Sequence, residues 1–254
     1  MAYNRCFSAR SPLTRNLATL PLSSLMPHKT VLLSTNCPLF FFILQNPDNF
    51  KKLDALRLLP LSANKTAPLD IHAFFLLSRI LRNYLVPLPQ VEQEVAARLE
   101  GVQNKTVIGM HIRCGNPLSD FKDQSSFLSI KEISVFHRCK EGLTKNDAAI
   151  VVASDSTKAK SMISNYNPSL PVLFLDRKSS HTMTRYFSRV AYQSLFDAFV
   201  EMELLSRSTV LIGTQRSSFS LCAAALKGSL PLLVRRGSKS CTIPSSITFG
   251  WLPC

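Results

Sequence analysis

VIGMHIRCGNPLSDF, residues 107–121, opens on a short apolar run, Val107-Ile108-Gly109-Met110, and passes through His111, Ile112 and Arg113 into the turn formers Gly115, Asn116 and Pro117. An apolar run of that length bounded by such residues predicts a buried strand feeding a loop. Alternate residues on a strand share a face, so His111 and Arg113 project together where the strand gives way to its loop. In open sheets of parallel strands, the carboxyl ends of the strands are where ligands bind.

The pattern continues in both directions. Apolar runs at 148–153, 171–175, 208–213 and 231–234 predict further strands, and helical spacing fills 125–140, 158–165, 192–206 and 217–226. Upstream, Ile71, Phe74, Phe75, Ile80, Leu81, Tyr84 and Leu85 have helical spacing, with Asp70 as expected N-cap and Pro87 and Pro89 as expected stops; 91–99 reads as a second helix. Strands alternating with helices at short spacing predict an α/β fold, a Rossmann-like parallel sheet with helices on both faces. The expected organisation is an irregular or targeting segment over 1–30, a partial N-terminal helical region over 31–100 and the Rossmann-like domain over 101–254. The first segment is basic, rich in Ser and Leu, and contains no acid.

Bulk properties narrow the function. The 254 residues carry 30 Lys and Arg against 16 Asp and Glu, a formal net charge of +14, which favours anionic partners. The positives are scattered and do not interleave with aromatics, so no nucleic-acid partner is expected. Hydrophobic residues make up 46%, enough for a packed core. Seven cysteines form neither a CxxC pair nor a zinc-finger spacing. Cys241 and Cys254 are close enough in sequence to close a local disulfide. Asn64-Lys65-Thr66 and Asn104-Lys105-Thr106 are glycosylation sequons that should lie on the surface, and with disulfides they suggest a secretory-pathway lumen. The best membrane candidate, 31–44, is too short and is broken by Ser34, Thr35, Asn36 and Pro38, so membrane association needs an anchor outside this chain.

Three predicted strand ends carry polar loops, and all open on one edge of the sheet: His111/Arg113, Ser154/Asp155, and Gly213-Thr214-Gln215-Arg216-Ser217-Ser218. The third opens a helix, where free backbone amides and the hydroxyls of Ser217, Ser218 and Ser220 suit an anion. Arg113 supplies a bidentate fork for phosphate. Asp155 can contact a nucleoside, or simply cap the helix after it. His111 can equally be a satisfied core histidine, and Arg113 a salt-bridge partner. Walker A, GxGxxG, GxSxG and HExxH motifs are all missing, which removes the usual support for NTPase, dehydrogenase and common hydrolase readings.

His111-Ile112-Arg113-Cys114-Gly115 after one strand, Ala153-Ser154-Asp155 after the next and Ser217-Ser218-Phe219-Ser220 after a third resemble, in order, the three motifs of the GDP-fucose-dependent fucosyltransferases of the GT-B superfamily. Pro38 to Phe50 and Leu77-Ser78-Arg79-Ile80-Leu81 are similar to stretches of the plant-type xyloglucan alpha-1,2-fucosyltransferases. The resemblance implies a GT-B nucleotide-binding half with a short or incomplete N-terminal half, and admits a truncated or inactive copy. It implies inverting transfer of fucose from GDP-fucose to a glycan acceptor in the Golgi or secretory lumen, without a metal; the sequence holds no Asp-x-Asp. Arg113 would hold the β-phosphate and stabilise the leaving diphosphate. His111 would shape the guanine and ribose side, Asp155 would contact the nucleoside, and Thr214, Ser217, Ser218 and Phe219 would wrap the phosphates. Asp120 and Asp123 are the candidate catalytic acids of the loop after Arg113. The competing readings are a GDP-sugar-binding remnant without turnover, another nucleotide-sugar glycosyltransferase, and a basic nucleic-acid-binding domain.

Overall fold

The computed structural model describes Asp48, Lys51 and residues 69–121, 123, 126–143, 147–177 and 189–244. The chain forms two compact units, Met1–Leu81 with Ser245–Cys254, and Arg82–Pro244. Helix α1 (Leu69–Tyr84), all but its last turn in the first unit, buries Ile71, Ala73, Phe74 and Leu76. It begins at Leu69, so Asp70 lies inside it rather than capping it.

The second unit starts with α2 (Pro89–Leu99). Pro89, expected as a stop, is its first residue, where a missing N–H costs nothing. Then follow β1 (Thr106–Ile112), α3 (Ile130–Glu141), β2 (Ala148–Ser154), α4 (Thr157–Tyr166), β3 (Val172–Leu173), α5 (Arg189–Ser206), β4 (Val210–Thr214), α6 (Ser218–Lys227) and β5 (Leu232–Val234). The five strands are parallel, in the order β3-β2-β1-β4-β5. This is an α/β, Rossmann-like sheet, and its order reverses between β1 and β4.

Both central strands are buried along almost their whole length, which is why they read as continuous apolar runs rather than as alternations. Helices α3 and α4 pack together on one face; α5 lies against β1 and β2 on the other, with α2 and α6 beside it. The layers meet closely at Gly109, where a Cβ would stand 2.7 Å from Ser208 Oγ. Ile108, Met110, Ile112, Ile133, Phe136, Ile150 and Ile163 are fully buried and form the core under α3 and α4.

Helix α3 starts five residues later than its periodicity suggests, because Ser129 and Glu132 form a capping box. The Glu132 carboxylate accepts the Ser129 amide at 2.7 Å and also the Gly237 amide at 3.1 Å. Burial pushes this carboxyl up, but the Ser129 and Gly237 bonds outweigh it and hold it below its ordinary range. Cys241 pairs with Cys139 on α3, Cα atoms 6.0 Å apart, and not with Cys254 as its position in sequence suggests. Cys254 lies outside the described residues, as does Asn64; Asn104 is exposed in a turn. Among the described residues no helix is long and apolar enough to cross a membrane.

Candidate functional site

The ends of β1, β2 and β4 converge at the switch point. Arg113 follows β1 directly, and its backbone amide donates to Thr214 Oγ1 at 2.9 Å. The Thr214 hydroxyl in turn donates to the His111 carbonyl at 3.0 Å. Thr214 is therefore a clasp that extends the β1–β4 pairing past the ladder, and its hydroxyl is already engaged on both sides.

The His111 ring is buried, with Nδ1 2.6 Å from Ser220 Oγ. It stacks on Phe219, ring centroids 4.7 Å apart and planes 26° from parallel. Ser220 Oγ also accepts the Thr214 amide at 3.0 Å. Ser220 is thus an internal strut between β1, β4 and α6 rather than a free donor. Gly213 is what lets it in, because a Cβ there would lie 2.7 Å from the Ser220 Cβ. Burial, and then the charge of Arg113, lower the His111 pKa to about 3. The imidazole is neutral at physiological pH, a positioning group and not a proton donor.

The Arg113 guanidinium is held on several sides. One terminal nitrogen pairs with Asp123, and the other lies 3.5 Å from Asp155 Oδ2. Phe121 and Phe127 flank it at 5.3 and 5.5 Å from their ring centroids, within cation–π range. The side chain keeps 24% exposure, so it is fixed yet reachable. The aromatic pair was not anticipated from the sequence, although Phe121 closes the stretch quoted at the outset.

Asp155 points inward. Its two oxygens accept the amides of Cys114 and Gly115, each at 2.8 Å. Burial raises its pKa, against the pull of those amides and of Arg113. It does not cap α4: Ser156 is the N-cap, accepting from the Ala159 amide at 3.3 Å. Asp120 reaches the same helix end, accepting from the Thr157 amide at 3.0 Å and from its hydroxyl at 2.6 Å. Neither Asp120 nor Asp155 presents an unengaged carboxylate to the cleft.

The start of α6 is differently disposed. Ser217 is its N-cap residue, with no side-chain cap bond. Ser218 is exposed and Phe219 half-buried. The first amides of a helix have no partner within it, so those of Ser218, Phe219 and Ser220 carry the positive end of the helix dipole just after β4. Arg216 just before them takes the left-handed conformation, φ 66°, and is exposed. Arg113 stands at the end of the neighbouring strand, its amide on Thr214.

The pH response of stability isolates His111. The unfolded chain binds a proton at this residue below about pH 6.5 and the folded chain does not until about pH 3, so acidification favours unfolding. Between pH 7 and 5 this amounts to about 2 kcal/mol. Glu201, which burial holds up near 7 against the pull of Lys160, takes up its proton in the folded state and works in the opposite direction. The diagnostic quantity is therefore the difference between parent and His111→Gln in the slope of unfolding free energy against pH. The variant should lose about 2 kcal/mol less over this range; parallel slopes would mean that His111 is not held neutral.

No protein-family model and no curated protein matches this sequence. Solved structures do match. A mutant of FUT1 from Arabidopsis thaliana, in complex with GDP, aligns with a TM-score of 0.52 at 17% identity, over 79% of this chain and 44% of that one. The fucosyltransferase NodZ from Bradyrhizobium aligns at 0.46 and 14% identity, over 64% and 49%. POFUT1 in complex with GDP aligns at 0.41 and 10%, over 70% and 52%. The likeness to FUT1 is one of fold. The chain spans about half the length of these structures.

Proposed function

We propose that this protein binds GDP-fucose at the β1–β4 switch point and transfers fucose to a glycan acceptor with inversion. The carrying observation is Arg113, its guanidinium clamped by Asp123 and Asp155 yet partly exposed, and its backbone bonded to Thr214 at the end of the strand that leads into α6. The shared fold with FUT1, which was solved with GDP, supports the choice of nucleotide. In this reading the acceptor hydroxyl oxygen bonds to the anomeric carbon from the face opposite GDP as the carbon–oxygen bond to GDP breaks, and the hydroxyl proton is released to solvent. Negative charge grows on the diphosphate as that bond breaks, and the Arg113 fork, the Ser217 hydroxyl and the first α6 amides meet it. These donors take the part a metal would otherwise play. His111 and Phe219 form a wall of the nucleotide pocket, His111 fixed by Ser220. The finer assignment, to the plant-type xyloglucan enzymes, rests on the sequence stretches noted above. A lumenal location is part of the same proposal, supported by the exposed Asn104 sequon and the Cys139–Cys241 pair.

A second reading, GDP-sugar binding without turnover, is favoured by one observation. Asp120 is tied to Thr157 and Asp123 to Arg113, so each candidate base already has a partner. A thermal-shift panel with GDP, GDP-fucose, UDP and CMP tests what both readings share. A nucleotide at a hundred times its dissociation constant should add about 2.7 kcal/mol of stability. GDP and GDP-fucose should raise the melting temperature while UDP and CMP leave it unchanged; no response to GDP would end both readings. Fucose transfer, followed as GDP release that depends on acceptor, then separates them.

A further inference from the structure

We propose that the segment following β5 is a preorganised basic strap that binds an acidic polysaccharide. Residues 235–242 read Arg-Arg-Gly-Ser-Lys-Ser-Cys-Thr, and Arg235, Arg236 and Lys239 are exposed. The strap is pinned at both ends and in the middle. Leu233 and Thr242 exchange backbone bonds of 2.9 and 3.1 Å, Cys241 pairs with Cys139, and the Gly237 amide donates to Glu132 at 3.1 Å. The Ser238 hydroxyl donates to the Arg235 carbonyl at 2.7 Å, closing the turn. These cations therefore sit on a fixed scaffold, which lowers the ordering cost of binding.

Their surroundings set them apart. Four cations of this unit meet carboxylates, Arg98 with Glu94, Lys105 with Asp147, Arg177 with Asp197 and Arg207 with Glu92, whereas among the described residues Arg138 and Arg216, which adjoin the strap, form no ion pair. Among the described residues none of the strap cations meets an acid. Arg236 donates to the Ser126 hydroxyl at 3.5 Å, and Arg138 of α3 reaches the strap at the Lys239 carbonyl, 3.4 Å away. The charge also leads toward the site. The Gln215 amide donates to the Val234 carbonyl at 2.8 Å, which sets exposed Arg216 beside the start of the strap, and Ser126 is bridged to Gly115 in the loop after Arg113.

A row of arginine forks on a rigid turn suits carboxylates repeated along a chain. No aromatic lies in residues 235–242 to stack on nucleobases. Calling the bound polysaccharide the acceptor rests on the transferase reading; the binding itself does not.

The test uses the full chain with polygalacturonate, dextran, a single-stranded oligonucleotide and phosphatidylserine vesicles, and measures GDP affinity alongside. Parent protein should retain polygalacturonate and not dextran, and the retention should weaken with salt. The triple variant Arg235→Gln, Arg236→Gln, Lys239→Gln should bind polygalacturonate about tenfold more weakly, as three exposed charge pairs allow. Its melting temperature and GDP affinity should match the parent. The charge-keeping pair Arg235→Lys, Arg236→Lys should retain more binding than the triple variant. Equal polygalacturonate affinity in parent and triple variant overturns the proposal, as does tighter binding of the oligonucleotide or the vesicles. Loss of GDP binding with polygalacturonate binding intact overturns the donor reading and leaves the strap standing.

Discussion

Arg113→Lys should fold like the parent and lose roughly a hundred- to a thousandfold in fucose transfer, the effect of removing one preorganised donor worth about 2.7–4 kcal/mol. Arginine offers a planar fork of N–H donors, two of whose directions are taken here by Asp123 and Asp155. Lysine keeps the charge but not the fork, and it gives up the stacking between Phe121 and Phe127. An ammonium between two carboxylates would turn toward them, leaving the leaving diphosphate without a second bond. Because charge on that diphosphate peaks in the transition state, the loss should fall on kcat more than on KM. Arg216→Lys is the comparison: Arg216 is exposed, and its substitution should cost far less. GDP-fucose turnover with a melting curve for each variant decides it. Transfer near the parent rate in Arg113→Lys would make Arg113 a structural ion-pair partner and end its catalytic assignment.

The sheet was legible in the sequence because β1 and β2 are buried on both faces and so appear as unbroken apolar runs. Strand positions followed from those runs, and parallel pairing from the helices between them. Boundaries were less legible where a local side-chain bond overrides periodicity, as the Ser129–Glu132 box does at α3. The convergence of His111, Arg113, Asp155 and the Ser217 loop was also readable, since parallel strands deliver their carboxyl ends to one edge. Side-chain direction was not. Whether Asp155 faces a ligand or the amides of Cys114 and Gly115 depends on how the loop after β1 folds back, which spacing does not specify. Ser220 presented the same ambiguity: a hydroxyl three residues into a loop–helix turn can serve an anion or an imidazole, and only the gap left by Gly213 directs it to His111. The Cys139–Cys241 pairing spans 102 residues and could not be chosen over a nearer partner from sequence.

Asp155 gives the largest expected effect on stability. Its carboxylate is 5% exposed as a residue, accepts two amides at 2.8 Å and lies 3.5 Å from the Arg113 guanidinium. Asp155→Ala removes all three interactions together. It leaves the Cys114 and Gly115 amides without an acceptor, and shifts the counter-charge of Arg113 wholly onto Asp123. Breaking a buried charged cluster from one side costs about 3–5 kcal/mol, more than the carboxylate contributes net, because the stranded partners stay desolvated. Asp155→Asn keeps one acceptor oxygen and should fall between alanine and the parent. In urea the midpoint should drop with the slope unchanged, the sign of lost native stability rather than an altered unfolded state. GDP affinity should weaken in the same order, since Arg113 loses one wall of its clamp. A ligand-contacting Asp155 would behave differently: alanine would weaken GDP while the urea midpoint stayed within about 1 kcal/mol of the parent, a change typical of a residue without buried partners. That outcome would return Asp155 to the nucleoside, and the loop after β1 would need another anchor.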